Sequence, residues 1–401
     1  MTYSPDEIIQ YIEEEDIRFV KLAFCDVFGK QKNISINQSE IRRAFETGIA
    51  IDASSIYGFG SEVHSDVFLK PDPATLANLP WRPQHGRVVR MYCDVVKPDG
   101  TNIESDTRNL LKKAIEDAER HGLLFYFGAE MEFYLFKCDD NGNPTKIPYD
   151  EAEYMDVAPF DKGENIRREA CLFLEEMGIE TESSHHEDGP GQNEIDFRYS
   201  KPLKAADDAV TFKNVIHNVA ARNGLTACFT PKPLTGKPGS GMHINFSVKS
   251  KSEDVLNYAI SGVLNHIKEI TVFLNPTTES YLRFGYDRAP KYISWSRENR
   301  SQLVRVPAAS GEYVRAELRS PDPMCNPYLA YTLLIWACID GIDNKMTFEE
   351  ASDINFYNAN SETLKNFETL PLSLSDAVKE MCKSEFVKQY IPKSIIQSFS
   401  N

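Results

Sequence analysis

The chain has 401 residues, 44 of them Lys or Arg and 60 Asp or Glu, so its formal net charge is −16. This acidic balance argues against a protein that binds nucleic acid or an anionic membrane, because neutralising phosphates requires a basic face. The length suits two or three domains, or a small domain beside a large one. With 41% hydrophobic residues, such a chain can fold without disulfides or structural metals.

Three features predict a cytoplasmic protein. The eight cysteines form no C-x-x-C pair and mostly lie in apolar runs, which is typical of small buried side chains in a reducing compartment. The N-terminal segment MTYSPDEIIQYIEEED is acidic and has no apolar core, unlike a signal peptide. The longest apolar run, near 329–339, is far shorter than the ~20 residues of a membrane helix.

The first hundred residues alternate between strand-like runs and one short helical segment, SEIRRAFETG. The strand-like runs are IRFVKLAFCDVFG, KNISI and RVVRMYCDVVKPDG. A well-marked helix follows at 105–122, with Ser105 or Asp106 as N-cap and Gly122 at its end. We therefore predict a small α+β domain over residues 1–104 and a second domain over 105–401.

Strands and amphipathic helices alternate in the second domain. The strands are predicted near 123–136, 193–199, 226–230, 241–247 and 312–319, and the helices near 163–177, 203–222, 253–273 and 326–341. Charged residues recur on one face of these strands. A sheet whose polar face points inward lines a cavity.

Paired carboxylates are the first sign of chemistry. Glu130 and Glu132 are two residues apart on a strand and therefore share one face. Two neighbouring carboxylates repel each other unless a cation lies between them. Glu187 and Glu194 flank a Gly-Pro-Gly turn that could bring both to one centre. An acidic surface is the alternative interpretation of each pair.

A histidine and several arginines complete the pattern. His243 begins a strand behind a G-x-G segment, which alone is a weak phosphate-binding signal. Glu317 lies between Arg315 and Arg319 on one strand face, and four more arginines precede it at positions 283, 297, 300 and 305. Arginine binds carboxylates and phosphates through two parallel hydrogen bonds. The residues thus predict a metal-dependent enzyme that acts on phosphates and a carboxylate, without naming the reaction.

These segments, in this order, resemble the type I glutamine synthetase family. The resemblance covers about residues 10–345 and rests on FCDVFGKQKN, IDASSIYGF, LKPDPATLANLPW, GAEMEF, HHEDGPGQNEIDF, TPKPLTGKPGSGMH, NPTTESY, WSRENRSQLVRVP and RAELRSPDPMCNPYLAY. It implies an α+β fold, with a small N-terminal β-grasp-like domain and a large catalytic α/β domain whose curved antiparallel sheet forms half of an active-site funnel. The implied reaction is ATP-dependent ligation of ammonia to glutamate through γ-glutamyl phosphate, giving glutamine, ADP and phosphate.

The resemblance also implies a role for each matching residue. Two or three Mg²⁺ or Mn²⁺ ions would be held by six ligands: Glu132, Glu187 and Glu194 on the glutamate side, and Glu130, His243 and Glu317 on the nucleotide side. Glutamate and the phosphoryl group would contact Arg283, Arg300 and Arg319, with Gly239 and Ser55 nearby. ATP would contact Glu182, Tyr199, Ser247, Arg305 and Arg315. Asp52 resembles the aspartate that takes a proton from ammonium.

Three departures from the family pattern leave the acceptor open. The active-site flap reads FGYDRAP, one residue shorter than usual, so Asp287 or Arg288 stands where the family has a glutamate. Pro238 replaces an asparagine, and the chain ends early. Asp52 favours ammonia as acceptor, whereas the altered flap favours an organic amine, such as a polyamine or a monoamine. A third interpretation is a catalytically inactive structural or sensor protein. The metal-binding residue types at all six metal positions argue against it, because a structural protein has no need of these costly buried groups.

The resemblance finally implies a homo-oligomeric ring, a hexamer or a dodecamer, with active sites shared between subunits. In such a ring, the N-terminal domain of one subunit closes the cavity of its neighbour, so Asp52 would serve another chain. The short C-terminus leaves the choice between hexamer and dodecamer open.

Overall fold

A computed structural model of the chain describes residues 3–59, 65–82, 85–251, 254–348 and 350–400. The helices are α1 Pro5–Glu14, α2 Ile41–Thr47, α3 Thr107–Arg120, α4 Glu164–Glu176, α5 Pro202–Arg222, α6 Leu256–Leu274, α7 Pro327–Asp343, α8 Ser361–Leu364, α9 Leu374–Lys383, α10 Glu385–Tyr390 and α11 Lys393–Ser400. The strands are β1 Ile17–Cys25, β2 Gln31–Asn37, β3 Ile49–Asp52, β4 Asp66–Pro71, β5 Ala77–Asn78, β6 Arg87–Val96, β7 Leu123–Cys138, β8 Pro144–Pro148, β9 Thr181–His186, β10 Gln192–Phe197, β11 Leu225–Cys228, β12 Met242–Ser250, β13 Trp295–Arg297, β14 Val304–Val306 and β15 Ala316–Leu318.

The N-terminal strands form one sheet in the order β2-β1-β6-β4-β3, and β5 pairs with β6. Strands β1 and β6 are parallel, and the other described pairs of this sheet are antiparallel. The sheet buries apolar side chains such as Val20, Leu22 and Met91. Strand β3, which carries Asp52, lies at one end of the strand order.

The second sheet has the order β13-β14-β15-β12-β7-β10-β9, and β8 and β11 also pair with β7. Its described pairs are antiparallel apart from β13 with β14. Along β7 the two faces differ sharply, as the alternation of strand side chains requires. Phe127, Met131 and Phe133 are buried in the apolar core, whereas Glu130 and Glu132 point to the opposite face. The predicted sheet with one polar face is therefore present.

A buried arginine joins the two sheets. Asp106, one of the two predicted N-cap residues, is the N-cap of α3. Its side chain accepts a hydrogen bond from the backbone N–H of Arg108 at 3.0 Å. The Arg108 side chain, 4% exposed, forms ion pairs with Asp72, which directly follows β4, with Asp94 of β6 and with Asp207 of α5. Because each carboxylate belongs to a different element, this cluster fixes the N-terminal sheet against the helices of the larger one.

Some predicted elements differ from the observed ones. The strand predicted at 312–319 is shorter, because a 3-10 helix at Gly311–Tyr313 precedes β15. Strand β9, with the sequence TESSHH, was not predicted, since it has no alternation of apolar and polar residues. The strands β13 and β14 were not predicted either, because three residues are too few to show a pattern.

We expect His266 of α6 to make stability depend on pH. Its Nδ1 lies 3.1 Å from Glu269 Oε2 and its Nε2 2.7 Å from Asp340 Oδ2, and its ring stacks on Phe386 of α10. Burial lowers the pKa of His266, but the hydrogen bonds to both carboxylates outweigh burial and raise it above its ordinary value. The folded chain therefore holds this proton more tightly than the unfolded chain. The resulting stability is complete below about pH 6.5 and is lost as pH rises through the folded pKa.

Urea unfolding at a series of pH values above 6 measures this loss. His266→Gln should show a weaker decline in the free energy of unfolding with pH than the wild type, whereas His85→Gln, at an exposed position, should follow the wild type. Equal slopes for His266→Gln and the wild type would refute the assignment.

Candidate active site

The polar face of the large sheet lines a cavity of about 420 Å³. Among its lining residues are most of the predicted site residues: Glu130, Glu132, Glu187, Glu194, Gly239, His243, Arg283, Arg300, Arg305, Arg315 and Arg319. Glu317 lies fully buried at its edge, where it contacts Arg305 and Arg319. Residues far apart in the chain thus converge on one concave surface.

Four carboxylates face each other across two adjacent strands. Glu130 of β7 is directly opposite Asp196 of β10, and Glu132 is directly opposite Glu194. Like charges directly opposite on a sheet destabilise it. Burial and the neighbouring carboxylates Asp196 and Glu132 raise the pKa of Glu194 well above its ordinary value. Burial also raises the pKa of both Glu132 and Asp196. A cation between these side chains would relieve the repulsion.

One group of possible metal ligands combines Glu130, His243 and Glu317, whose ligand atoms lie within 4.8 Å of one another. His243 Nδ1 is 3.3 Å from Glu130 Oε2 and 3.7 Å from Glu317 Oε1. Burial raises the pKa of Glu130, but the hydrogen bond and charge of His243 overcome it and lower that pKa to about 2. A set of carboxylates with one imidazole fits Mg²⁺ or Mn²⁺. The trio is the set that the sequence analysis grouped around one ion.

A second group contains His185, Glu187 and Glu194, and a third contains Glu130, Glu194 and Asp196. His185 Nε2 lies 2.8 Å from Glu187 Oε1. Glu132, predicted beside Glu187 and Glu194, instead accepts hydrogen bonds through Oε2 from the Gly241 backbone at 2.9 Å and from Gln192 Nε2 at 3.0 Å. The sequence analysis missed Asp196, although it lies two residues after Glu194 on the same strand.

A fourth acidic group with a histidine is a buried structural network. His186 Nε2 lies 2.8 Å from Asp150 Oδ1, and its Nδ1 lies 2.7 Å from the carbonyl oxygen of Glu187. Asp150 also accepts a hydrogen bond from the Gly191 backbone at 2.9 Å. The nearby Asp161 is ion-paired with the buried Arg167, which supplies the positive charge there. This network holds both ends of the turn that follows Glu187.

The buried arginines are held in fixed positions. Arg283, 3% exposed, donates from Nη1 to the carbonyl oxygen of Ser320 at 3.1 Å. A Cβ atom on Gly239 would lie 2.5 Å from the Pro231 carbonyl oxygen and 2.7 Å from Arg283 Cγ, so only glycine fits over this side chain. Arg319 donates from Nε to Glu317 at 3.0 Å and from Nη1 to the carbonyl oxygen of Arg300.

A smaller cavity of about 180 Å³ adjoins the main one. It is lined by the three predicted nucleotide contacts Glu182, Tyr199 and Ser247, and it shares Glu130, Asp196 and Arg315 with the main cavity. The Tyr199 ring packs edge to face with Tyr126. Aromatic walls beside a charged cavity suit a planar base whose phosphates extend toward the carboxylates.

Asp52 and Ser55 are not among the lining residues of either cavity. Both are exposed, on or just after strand β3 of the N-terminal sheet. Asp52 Oδ1 accepts a hydrogen bond from the Ser54 backbone at 2.9 Å, an arrangement that fixes its carboxylate at the surface. The structure therefore does not bring these two residues together with the other predicted site residues within one chain.

The altered flap turns at the mouth of the main cavity. Asp287 and Arg288 have φ angles of 45° and 66°, which non-glycine residues seldom adopt. Asp287 is ion-paired with Lys232 at 2.8 Å, and Arg288 with Asp188 at 3.1 Å. Asp188 lines the cavity and was not predicted. Two ion pairs, Asp287 with Lys232 and Arg288 with Asp188, thus join this segment to other loops at the position where the resemblance implies a flap glutamate.

Opposed carboxylates, arginines held at fixed positions and an adjoining aromatic cavity define a metal-dependent enzyme that acts on phosphates and a carboxylate. Two family models match the chain: the glutamine synthetase β-grasp domain over residues 16–98 and the glutamine synthetase catalytic domain over residues 104–401. The chain therefore belongs to the glutamine synthetase family.

Individual relatives agree with this assignment. A glutamine synthetase of Methanosarcina mazei is 41% identical over 411 residues, covering 98% of this chain and 92% of that protein. One of Clostridium saccharobutylicum is 42% identical over 404 residues, covering 96% of this chain and 91% of that protein. The solved structure "GmaS/ADP complex-Conformation 1" matches with a TM-score of 0.89 and 27% identity, covering all of this chain and 94% of that one.

Several predictions are thereby confirmed. The fold is a β-grasp N-terminal domain with a larger catalytic domain. The chain is a glutamate–ammonia ligase that makes glutamine with ATP and a divalent metal, and its substrates are glutamate, ATP and ammonia. The organic-amine alternative is not favoured, because the relatives at about 40% identity are glutamine synthetases. No helix among the described residues is long and apolar enough to span a membrane.

Proposed function

We propose that the main cavity is where ammonia is joined to the glutamate side chain, with metal ions on both sides of the reacting groups. The observation that carries the proposal is the two pairs of opposed carboxylates beside His243, which are Glu130 with Asp196 and Glu132 with Glu194. Bound cations would stabilise this otherwise costly arrangement.

We assign Glu130, His243 and Glu317 to one Mg²⁺ or Mn²⁺ ion and Glu132, Glu187 and Glu194 to another. The third acidic group, with Asp196, would suit a third ion. When bound, these ions would neutralise the charge on the phosphoryl and carboxylate oxygens. His185 lies close enough to Glu187 to orient it.

The arginines would bind and orient the substrates. A carboxylate is a poor electrophile, and phosphorylation gives it a leaving group. Arg283, Arg300 and Arg319 would hold the glutamate carboxylate and stabilise the charge on the moving phosphoryl group. Glu182, Tyr199 and Ser247 would hold the nucleotide, with Arg305 and Arg315 on its phosphates. The position of Arg315 between the two cavities supports this assignment.

For the assembly, we propose a homo-oligomeric ring, a hexamer or a dodecamer, in which Asp52 and Ser55 serve the cavity of a neighbouring subunit. Their exposure, away from the cavities of their own chain, supports sharing. We further propose a domain boundary between residues 104 and 105, in the segment that separates β6 from α3. A cytoplasmic location is supported by the eight cysteines, which are all free.

A phosphate-release assay tests the function directly. Purified protein receives ATP, Mg²⁺, glutamate and either ammonium, methylamine or putrescine, and the product is identified by mass spectrometry. We expect phosphate release that depends on ammonium, with glutamine as the product. Release with an amine but not with ammonium would contradict the proposal.

The flap arginine should weaken the use of ammonium. Arg288 carries a positive charge into the cavity lining, and two like charges 4 Å apart in water repel by about 1 kcal/mol. Arg288→Gln should therefore lower the apparent KM for ammonium by up to roughly fivefold, with little change in kcat. Arg297→Gln, exposed and outside the cavity lining, is the matched control. An unchanged KM in Arg288→Gln would mean that Asp188 neutralises this charge completely.

A further inference from the structure

Gln192, the first residue of β10, lines the main cavity but belongs to none of its groups of possible metal ligands. The residue is 1% exposed and carries no charge. Burying an amide is costly unless its donors and its acceptor are hydrogen-bonded. Those of Gln192 have partners in three separate segments of the site.

Both the amide nitrogen and the amide oxygen of this side chain are engaged. Oε1 accepts a hydrogen bond from the backbone N–H of Gly189 at 2.9 Å, and Nε2 donates to the carbonyl oxygen of Gly239 at 3.1 Å and to Glu132 Oε2 at 3.0 Å. Turning the amide over would place its oxygen beside a carboxylate and its nitrogen beside an N–H donor. The side chain is therefore held in one orientation.

These contacts also determine which oxygen of Glu132 is available to a ligand. Glu132 Oε2 accepts two hydrogen bonds, one from Gln192 Nε2 and one from the Gly241 backbone at 2.9 Å. Among the described residues, none donates a hydrogen bond to Oε1 of this carboxylate. A carboxylate that is held through one oxygen presents the other to a cation, and such hydrogen bonds orient the ligands of metal sites. Gln192 thus orients an assigned metal ligand without being one of the assigned ligands.

A second side chain, beside Gln192, holds the same two loops together. Tyr134 of β7 is directly opposite Gln192, and its hydroxyl donates to the carbonyl oxygen of Pro238 at 2.6 Å. A Cβ atom on Gly189 would lie 2.1 Å from that hydroxyl oxygen, so only glycine fits against it. The Glu187 backbone N–H also donates to the Gln192 carbonyl oxygen at 2.8 Å. One pair of neighbouring residues therefore joins the turn that carries this glutamate to the loop that follows Pro238.

We infer that Gln192 is a positioning residue for the reaction. It orients Glu132 toward its metal ion and sets the distance between the turn with Glu187 and the loop that covers Arg283. The inference rests on the proposed function, in which Glu132 and Glu187 hold one ion and Arg283 binds the glutamate carboxylate. Because Gln192 lines the main cavity and not the smaller one, its loss should affect glutamate more than ATP.

Gln192→Met, which replaces the amide by an apolar side chain of similar length, tests the inference. Free Mn²⁺ is measured by electron paramagnetic resonance while the metal-free, full-length protein is titrated. Since hydrogen-bond partners of metal ligands contribute about 10- to 100-fold to metal affinity, one class of Mn²⁺ sites should weaken by this factor in the variant. In steady-state kinetics, the KM for glutamate should rise by about tenfold, whereas the KM for ATP should stay close to the wild-type value.

Asn109→Leu is the matched control, because it removes another buried amide, on α3 and outside both cavities. It should match the wild type in Mn²⁺ binding and in both KM values. Gln192→Asn keeps an amide that is one carbon too short to reach the same partners, so it should change the same two quantities and replaces Gln192→Met if that variant does not fold.

Wild-type Mn²⁺ affinity and an unchanged KM for glutamate in a folded Gln192 variant would overturn the inference, as would the same losses in Asn109→Leu. A purely structural role would lower the folded fraction without changing the Mn²⁺ affinity of the protein that remains folded. A wild type that binds no Mn²⁺ would instead refute the metal assignment on which the inference rests.

Discussion

Glu317→Gln should lower turnover by about 10³-fold while the chain remains folded. Glu317 is fully buried and belongs to the trio of possible ligands with Glu130 and His243. Stabilisation of transition-state charge by a bound metal ion amounts to several kcal/mol. Each 1.36 kcal/mol is a factor of ten, so about 4 kcal/mol corresponds to this loss. Glu132→Gln should give a loss of similar size, measured as phosphate release with ATP, glutamate and ammonium.

Glutamine is a better test than alanine at position 317. The Glu317 carboxylate accepts hydrogen bonds from Arg305 at 2.5 Å and from Arg319 at 3.0 Å. Alanine would leave two guanidinium groups without this partner, and a buried unpaired charge destabilises the fold. The amide oxygen of glutamine keeps part of the contact. Glu279→Gln, at an exposed position, is the matched control. Full activity in Glu317→Gln, or wild-type activity that EDTA does not reduce, would contradict the metal assignment.

Residues within one strand could be grouped from sequence because the geometry of a strand is local. The two-residue spacing of Glu130 and Glu132 placed both on one face, and the structure has them there. The same two-residue rule, applied to Glu194, also places Asp196 on that face of the strand. Helix α3 was predictable because its N-cap, its apolar stripe and the glycine that follows it lie within eighteen residues of sequence.

Contacts between distant segments could not be obtained in this way. The register that sets Glu132 opposite Glu194 depends on the pairing of β7 with β10, which no local pattern specifies. The closeness of Lys21 to Arg90 likewise arises from a parallel pairing of distant strands. The ion pair between Arg288 and Asp188 joins residues one hundred positions apart. The family resemblance supplied roles for single residues, but not these partners.

Asp52→Ala and Arg300→Ala should each be nearly inactive alone and should regain activity when combined. Loss of a proton acceptor costs typically about 10²- to 10⁴-fold, and loss of a charge-stabilising donor about 10²- to 10³-fold. Asp52 is exposed on the N-terminal sheet, whereas Arg300 lines the cavity. If a cavity is completed by the neighbouring subunit, a mixed ring contains some interfaces with both residues intact. Random mixing in equal amounts gives about one quarter of such sites.

The two variants are unfolded together, refolded and purified as rings, and the mixture is verified by native mass spectrometry with one partner isotopically labelled. The matched control combines Asp52→Ala with the double variant Asp52→Ala/Arg300→Ala, in which no interface has Asp52. Recovery in the first mixture and none in the control would establish that Asp52 acts on the cavity of another chain. No recovery in verified mixed rings would mean that Asp52 and Arg300 act from one chain, and a fully active monomeric wild type would exclude the shared site.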